Sequence, residues 1–116
     1  MKFSKLKSKL IHFQGAVEDF PFGPEVAVYK VAGKMFALTS WEENPLQLTL
    51  KCDPDDAQIL RSMYTAVKPG YHMNKEHWNT ITLDDSIPDE ILERLIRESY
   101  QLVLGKLPGK VRDKLG

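Results

Sequence analysis

A chain of 116 residues with 42% hydrophobic content is long enough to bury one core without disulfides or a structural metal, and a single domain over residues 1–116 is expected. Sixteen basic residues balance sixteen acidic ones, which excludes a global field that would attract nucleic acid, an anionic membrane or a charged substrate; any polyanion binding must be local. The lone Cys52 cannot form an internal disulfide, and no apolar run approaches the roughly 20 residues that cross a bilayer. The lysine-rich start lacks the apolar stretch and cleavage site of a secretory signal, so the expectations are reducing cytoplasm and no membrane.

Phe3, Leu6, Leu10 and Phe13 recur at three- and four-residue spacing, the pattern of a short amphipathic helix ended by Gly15. Lys2, Lys5, Lys7 and Lys9 fill its other faces and read as a solvated side rather than a phosphate-contacting one. Residues 18–25 hold two prolines and a glycine and read as a structured loop, with Phe20 and Phe22 plugging the end of the core. Residues 26–31 and 34–41 are β-rich runs joined by Ala32-Gly33, a hairpin, and Leu46, Leu48 and Leu50 then alternate with polar residues as a third strand.

Asp53-Pro54-Asp55-Asp56 is a strong helix start, with an Asp cap, Pro at the first helical position and acids where the macrodipole favours them. The stripe Ile59, Leu60, Met63, Tyr64 and Val67 predicts its buried face, and Pro69-Gly70 its stop. Residues 70–83 concentrate two histidines, two aromatics and two amides, and the alternation over 79–83 makes most of that run strand. Pro88 opens a last helix that buries Ile91, Leu92, Leu95, Ile96, Ser99, Leu102 and Val103 and closes at Gly105. Glu90 with Arg94 and Glu93 with Arg97 stand four apart in the favourable order, and a basic tail follows, read as a further helical turn or a mobile end.

The order is therefore α-β-β-β-α-β-β-α: an α+β fold of two layers, an antiparallel five-stranded sheet with helices on one face. Strict alternation places Phe36, Leu38, Leu46, Leu48, Leu50, Ile81 and Leu83 under the helices. It leaves Thr39, Trp41, Gln47, Thr49, Lys51, Trp78, Thr80 and Thr82 on the open face.

His72 and His77 with Cys52 and Glu76 are the only conceivable metal set, and five residues along a strand would point the two histidines to opposite faces roughly 17 Å apart. No metal is expected. A Cys52–His nucleophilic pair has no orienting group or oxyanion motif beside it, and no phosphate-binding glycine loop or dinucleotide fingerprint is present, so neither a cofactor nor an enzyme is expected. Lysines beside flat rings suit nucleic acid, phosphates pairing with ammonium groups and bases stacking on aromatics. Trp41, Trp78, Lys34, Lys51, Lys75, His77 and Asn74 are the candidate residues of such a nucleic-acid or partner-binding face.

The runs Glu18-Asp19-Phe20-Pro21-Phe22-Gly23-Pro24-Glu25, Val31-Ala32-Gly33-Lys34-Met35-Phe36-Ala37-Leu38, Leu50-Lys51-Cys52-Asp53-Pro54, Pro69-Gly70-Tyr71-His72-Met73-Asn74-Lys75-Glu76-His77-Trp78-Asn79-Thr80 and Ser99-Tyr100 together carry a resemblance. Across nearly its whole length the chain resembles the MmcQ/YjbR family. That resemblance implies the same element order, in a fold related to CyaY-like and type III secretion chaperone-like domains, and the description "DNA-binding protein" with no catalytic residues. The lysine-rich residues 1–9 depart from the more acidic first helix of a typical member. The resulting expectation is a non-enzymatic, monomeric DNA-binding protein using an aromatic and basic open sheet face. The alternatives are a protein-interaction or chaperone-like module and, third, an enzyme with a pocket along residues 71–79.

Overall fold

The structure, a computed structural model, describes residues 1–70 and 73–115. The chain runs α1 (Phe3–Ile11), β1 (Ala16–Asp19), β2 (Val26–Val31), β3 (Lys34–Ser40), β4 (Gln47–Lys51), α2 (Pro54–Met63), β5 (Val67–Pro69), β6 (Trp78–Thr82), α3 (Asp89–Gly105) and α4 (Gly109–Leu115). The α+β class holds, with six antiparallel strands rather than five, in the order β1-β2-β3-β4-β6-β5. Among the described residues no helix is long and apolar enough to cross a membrane.

The extra strand is β1, which lay in what reads as the start of a loop. Gly15, at φ 76°, turns the chain back after α1 so that Ala16–Asp19 pairs with Val28–Val31, and the Tyr29 hydroxyl donates to Glu18 Oε2 at 2.6 Å. Burial and that bond raise the Tyr29 pKa above the ordinary phenol value. The loop beyond β1 does not plug the core: Phe20 is 43% and Phe22 66% exposed.

The hairpin between β2 and β3 forms as expected, with positive φ at both Ala32 (49°) and Gly33 (78°), the geometry that matches strand twist. Within it, Tyr29 pairs with Ala37 but Lys30 pairs with Met35, leaving Phe36 as an extra residue. This β-bulge reverses the side-chain parity along β3. Phe36 still faces the helices, edge-on to Tyr100 of α3 at 5.3 Å and to Phe13 at 5.9 Å. Beyond it Ala37 and Thr39 point inward, and Thr39 is fully buried in register with Leu48, which pairs with Ile81. Leu38 goes to the open face beside Thr49 and is half-buried. The expected places of Leu38 and Thr39 are thus exchanged, and the Thr39 hydroxyl is accommodated by donating to Gln47 O at 2.8 Å.

Ser99 closes the gap that the bulge opens. Its fully buried hydroxyl, on the sheet-facing side of α3, donates to Phe36 O at 2.6 Å and accepts from Lys51 N at 2.9 Å, bridging β3 and β4 just beyond the Ala37–Leu50 pair where their ladder ends. Replacing it strands two buried backbone groups, each worth about 1–3 kcal/mol if left unpaired. Ser99→Ala is expected to lower the stability by about 2 kcal/mol or more in a urea melt; an unchanged midpoint would show that water substitutes freely for the hydroxyl.

The Asp53 cap of α2 is present, Oδ1 accepting from Asp55 N at 3.0 Å and Asp56 N at 3.4 Å. The helix is rotated from the expected stripe, burying Ala57 and Leu60 while Ile59 and Met63 are exposed. It stops at Met63, and Val67–Pro69 is strand rather than helix end and turn; Pro69 is tolerated because β5 is an edge, where its missing N–H leaves no ladder bond unmade. Among the described residues of 70–83, only Trp78–Thr82 is strand.

Helix α3 buries Leu92, Leu95, Ile96, Ser99, Tyr100 and Val103 against β2, β3 and β4, with Ile91 and Leu102 only half-buried. The anticipated pairs within it do not form: Arg94 approaches Glu98 at 3.7 Å, and Glu93 binds Lys9 of α1. Lys5 reaches Asp89 at 3.1 Å and Lys7 reaches Glu18 at 3.2 Å, so three of the four N-terminal lysines pair with carboxylates instead of forming an open cationic face.

Candidate functional site

On β4 and β6 the expected parity holds, since Gln47 pairs with Thr82, Thr49 with Thr80 and Lys51 with Trp78, although Thr49 itself is buried. The Thr49 and Thr80 hydroxyls bond to each other at 2.8 Å. With the bulge taken into account, the same face also carries the fully buried Val28 and the half-buried Leu38 in the Thr49–Thr80 row, and Met35 near its Trp78 end.

At that end the sheet meets the link between α3 and α4. Lys34, Met35, Lys51 and Trp78 together with Val103, Lys106, Leu107 and Pro108 line a cavity of about 410 Å³, within the size range of small-ligand sites. One wall is apolar and carries the half-buried Trp78; the rest carries three lysines. Among the described residues, no carboxylate lines the cavity and none of Lys34, Lys51 and Lys106 is in an ion pair. Burial first, and then the neighbouring Lys106 ammonium, hold the Lys51 pKa below the ordinary lysine value.

The framework beneath the cavity is held from several sides. Ser99 pins the Lys51 backbone through its hydroxyl. Gly70 donates to Trp78 O at 2.8 Å, and a Cβ on Gly70 would come within 2.8 Å of the Trp78 Cβ, so only glycine permits this approach of β6. Arg61 of α2 reaches under the turn before β6, its Nε donating to the buried Asn79 Oδ1 at 2.7 Å and its terminal nitrogen to the Lys75 carbonyl. The Asn79 amide in turn donates to Ala57 O at 3.3 Å.

Three of the seven candidate residues, Lys34, Lys51 and Trp78, converge on this cavity. Trp41 does not: it follows the far end of β3, packs at a tilt against Phe3 of α1 with ring centres 5.8 Å apart and donates its indole N–H to Pro24 O at 2.7 Å. The register of β3, β4 and β6 sets the two tryptophans at opposite ends of the sheet, and the bulge, by changing the parity between Met35 and Trp41, turns Trp41 toward α1 rather than the open face. Asn74 serves its own turn, with Oδ1 accepting from Glu76 N at 2.9 Å and its carbonyl from Trp78 N at 3.0 Å. Lys75 is exposed on that turn, and the His77 carbonyl accepts from Cys52 N at 2.7 Å; none of the three lines the cavity. Lys106, Leu107 and Pro108 belong to it without any sequence signal beyond the basic tail, and Arg61 had only the oddity of a cation among apolar helix positions. Tyr71 and His72, part of the expected run, lie outside the described residues.

Cys52 is buried and reduced, and burial with the carboxylates of Asp56, Glu98 and Asp53 pushes its pKa up to about 11, the opposite of what a nucleophile needs. Among the described residues no group of three His, Cys, Asp or Glu side chains converges as a metal site would require.

The model of the YjbR family matches residues 11–102. Over 115 residues the chain is 38% identical to Uncharacterized protein YjbR of Escherichia coli K12, covering 99% of this chain and 98% of that one. It is 40% identical over 88 residues to Uncharacterized protein YbdF of Escherichia coli O157:H7, covering 76% of this chain and 72% of the relative. Among solved structures, Deinococcus radiodurans protein DR2400 superposes with a TM-score of 0.94 at 40% identity, over 99% of this chain and 88% of that one. A Pseudomonas syringae protein superposes with a TM-score of 0.76 at 26% identity, over 89% and 99% of the two chains. Matched over most of its length in both sequence and fold, the chain belongs to the YjbR family.

Proposed function

We propose that the open sheet face binds DNA in single-stranded form, centred on Trp78. The observation that carries this reading is the gathering of Lys34, Lys51 and Lys106 beside a half-buried indole, with no carboxylate among the described lining residues, in a chain whose total charge is zero. Neutralising those ammonium groups is what a phosphate backbone does, and a flat ring at the same place accepts a base regardless of its identity. Lys68 continues the positive line across the Thr80 row, whereas Lys30 is neutralised by Asp19 at 3.1 Å. A single strand is favoured over a duplex because Trp78 sits within the sheet surface rather than protruding as a groove wedge.

The test is fluorescence anisotropy of a labelled oligodeoxynucleotide at several salt concentrations. Three phosphate contacts predict that log K falls against log salt with a slope of about −2, and Trp78→Ala is expected to weaken binding by about 2 kcal/mol, roughly 30-fold. Absence of binding at low salt, or binding that survives neutralisation of all three lysines, would reject the reading. A second reading, a polypeptide-docking module, rests on a different place: the β1 edge and its loop, where Val17, Phe20 and Phe22 are exposed together.

A further inference from the structure

We propose that the cavity between the end of the sheet and the α3–α4 link is a mononucleotide site, with the phosphate on Lys51, Lys106 and Lys34 and the base against Trp78, Met35 and Leu107. This deepens, and rests on, the reading of the same face as a DNA-binding surface. It goes further in that a discrete unit, free or at the end of a strand, is recognised by base and phosphate together.

Both halves of that ligand have a counterpart in the cavity. Lys34, Lys51 and Lys106 line the same cavity, where burial and then the neighbouring Lys106 disfavour the Lys51 charge, and among the described residues no carboxylate lines it. A phosphate offers acceptor oxygens to the Lys51 and Lys106 ammonium groups and offsets their mutual repulsion. The opposite wall is made by Trp78, Met35, Val103, Leu107 and Pro108, a flat π surface continued by apolar side chains. Such a wall gains little from inorganic phosphate, and the lysines gain little from a bare base; a nucleotide engages both. Pre-organisation supports a discrete site, because Ser99 fixes the Lys51 backbone and Gly70 seats Trp78, leaving chiefly the lysine side chains to be ordered on binding. The cavity volume of about 410 Å³ suits a small ligand and leaves no room for a duplex.

Trp41→Phe makes Trp78 the single indole reporter, since Trp41 lies at the far end of the sheet. Its emission is followed during titration with adenosine 5′-monophosphate, adenosine and inorganic phosphate. The proposal expects a saturable change with the nucleotide, at least tenfold weaker responses to adenosine and to phosphate, and about a tenfold loss of nucleotide affinity in Lys106→Gln. Lys106 is exposed and in no ion pair among the described residues, so this variant is expected to fold; circular dichroism checks it. Phosphate binding as tightly as the nucleotide overturns the proposal in favour of a simple anion site. No saturable response to the nucleotide, while the labelled oligonucleotide binds, overturns the cavity site and leaves the DNA surface standing. Nucleotide binding without oligonucleotide binding supports the cavity site and removes the DNA-binding reading instead.

Discussion

Ile81→Asp is expected to unfold the protein. Ile81 is 2% exposed on the helix-facing side of β6, paired with Leu48 on one side and Val67 on the other. A carboxylate there meets no cation and no donor, and an unpaired buried charge costs about 3–5 kcal/mol even after relaxation. Loss of the isoleucine packing adds to that, and the sum is comparable to the roughly 5–15 kcal/mol that holds a small domain together. Circular dichroism and a urea melt read the result, with Ile81→Val, costing about 1 kcal/mol, as the volume control. A folded Ile81→Asp protein with the parent's midpoint would mean that β6 is shifted by one residue and that Ile81 faces solvent.

Phe36→Ala is expected to cost about 3–5 kcal/mol, lowering the melting temperature by on the order of 15 °C. The ring is fully buried and meets Tyr100 edge-on, while Phe13 stacks on Tyr100 at 4.6 Å, so one deletion opens a cavity in a three-ring cluster that ties α1's end and α3 to β3. The bulge makes this result specific. Under strict alternation Leu38 would share that environment, and Leu38→Ala would cost as much; on the open face it is expected to cost about 1 kcal/mol. Equal losses for the two variants would contradict the bulge, and with it the turning of Trp41 toward α1.

Where the local chemistry was self-sufficient, the sequence was legible. Asp53-Pro54 starts α2 because a carboxylate cap and a fixed φ act within one turn, and Ala32-Gly33 makes the hairpin because the two flanking runs are adjacent in the chain. Leu48, Leu50 and Ile81 are buried as their alternation implies, since no bulge interrupts β4 and β6. The rotation of α2 was not legible: Ile59 and Met63 are as apolar as Leu60, and what turns the helix is Arg61 reaching the Lys75 carbonyl and Asn79, partners 14 and 18 residues away. β1 escaped for a similar reason, being four residues long and held by pairing with β2 rather than by any propensity of its own.

Of the candidate site, residue type was readable and convergence was not. Lysines and a tryptophan were visible as binding-type side chains, and family membership followed from the runs around residues 18–25, 31–38 and 69–80. By itself the sequence determined the α+β class, the antiparallel pairing of neighbouring strands and the burial of β4 and β6, because periodicity and turn chemistry are properties of consecutive residues. Only the tertiary structure decided that one extra residue at Phe36 turns Trp41 toward α1 instead of the open face, and that the α3–α4 link carries Lys106 to Lys34, Lys51 and Trp78. The physical reason is range: a bulge is defined by the partner strand and a charge cluster by the return of a distant segment, and neither leaves a periodic trace in the chain that makes it.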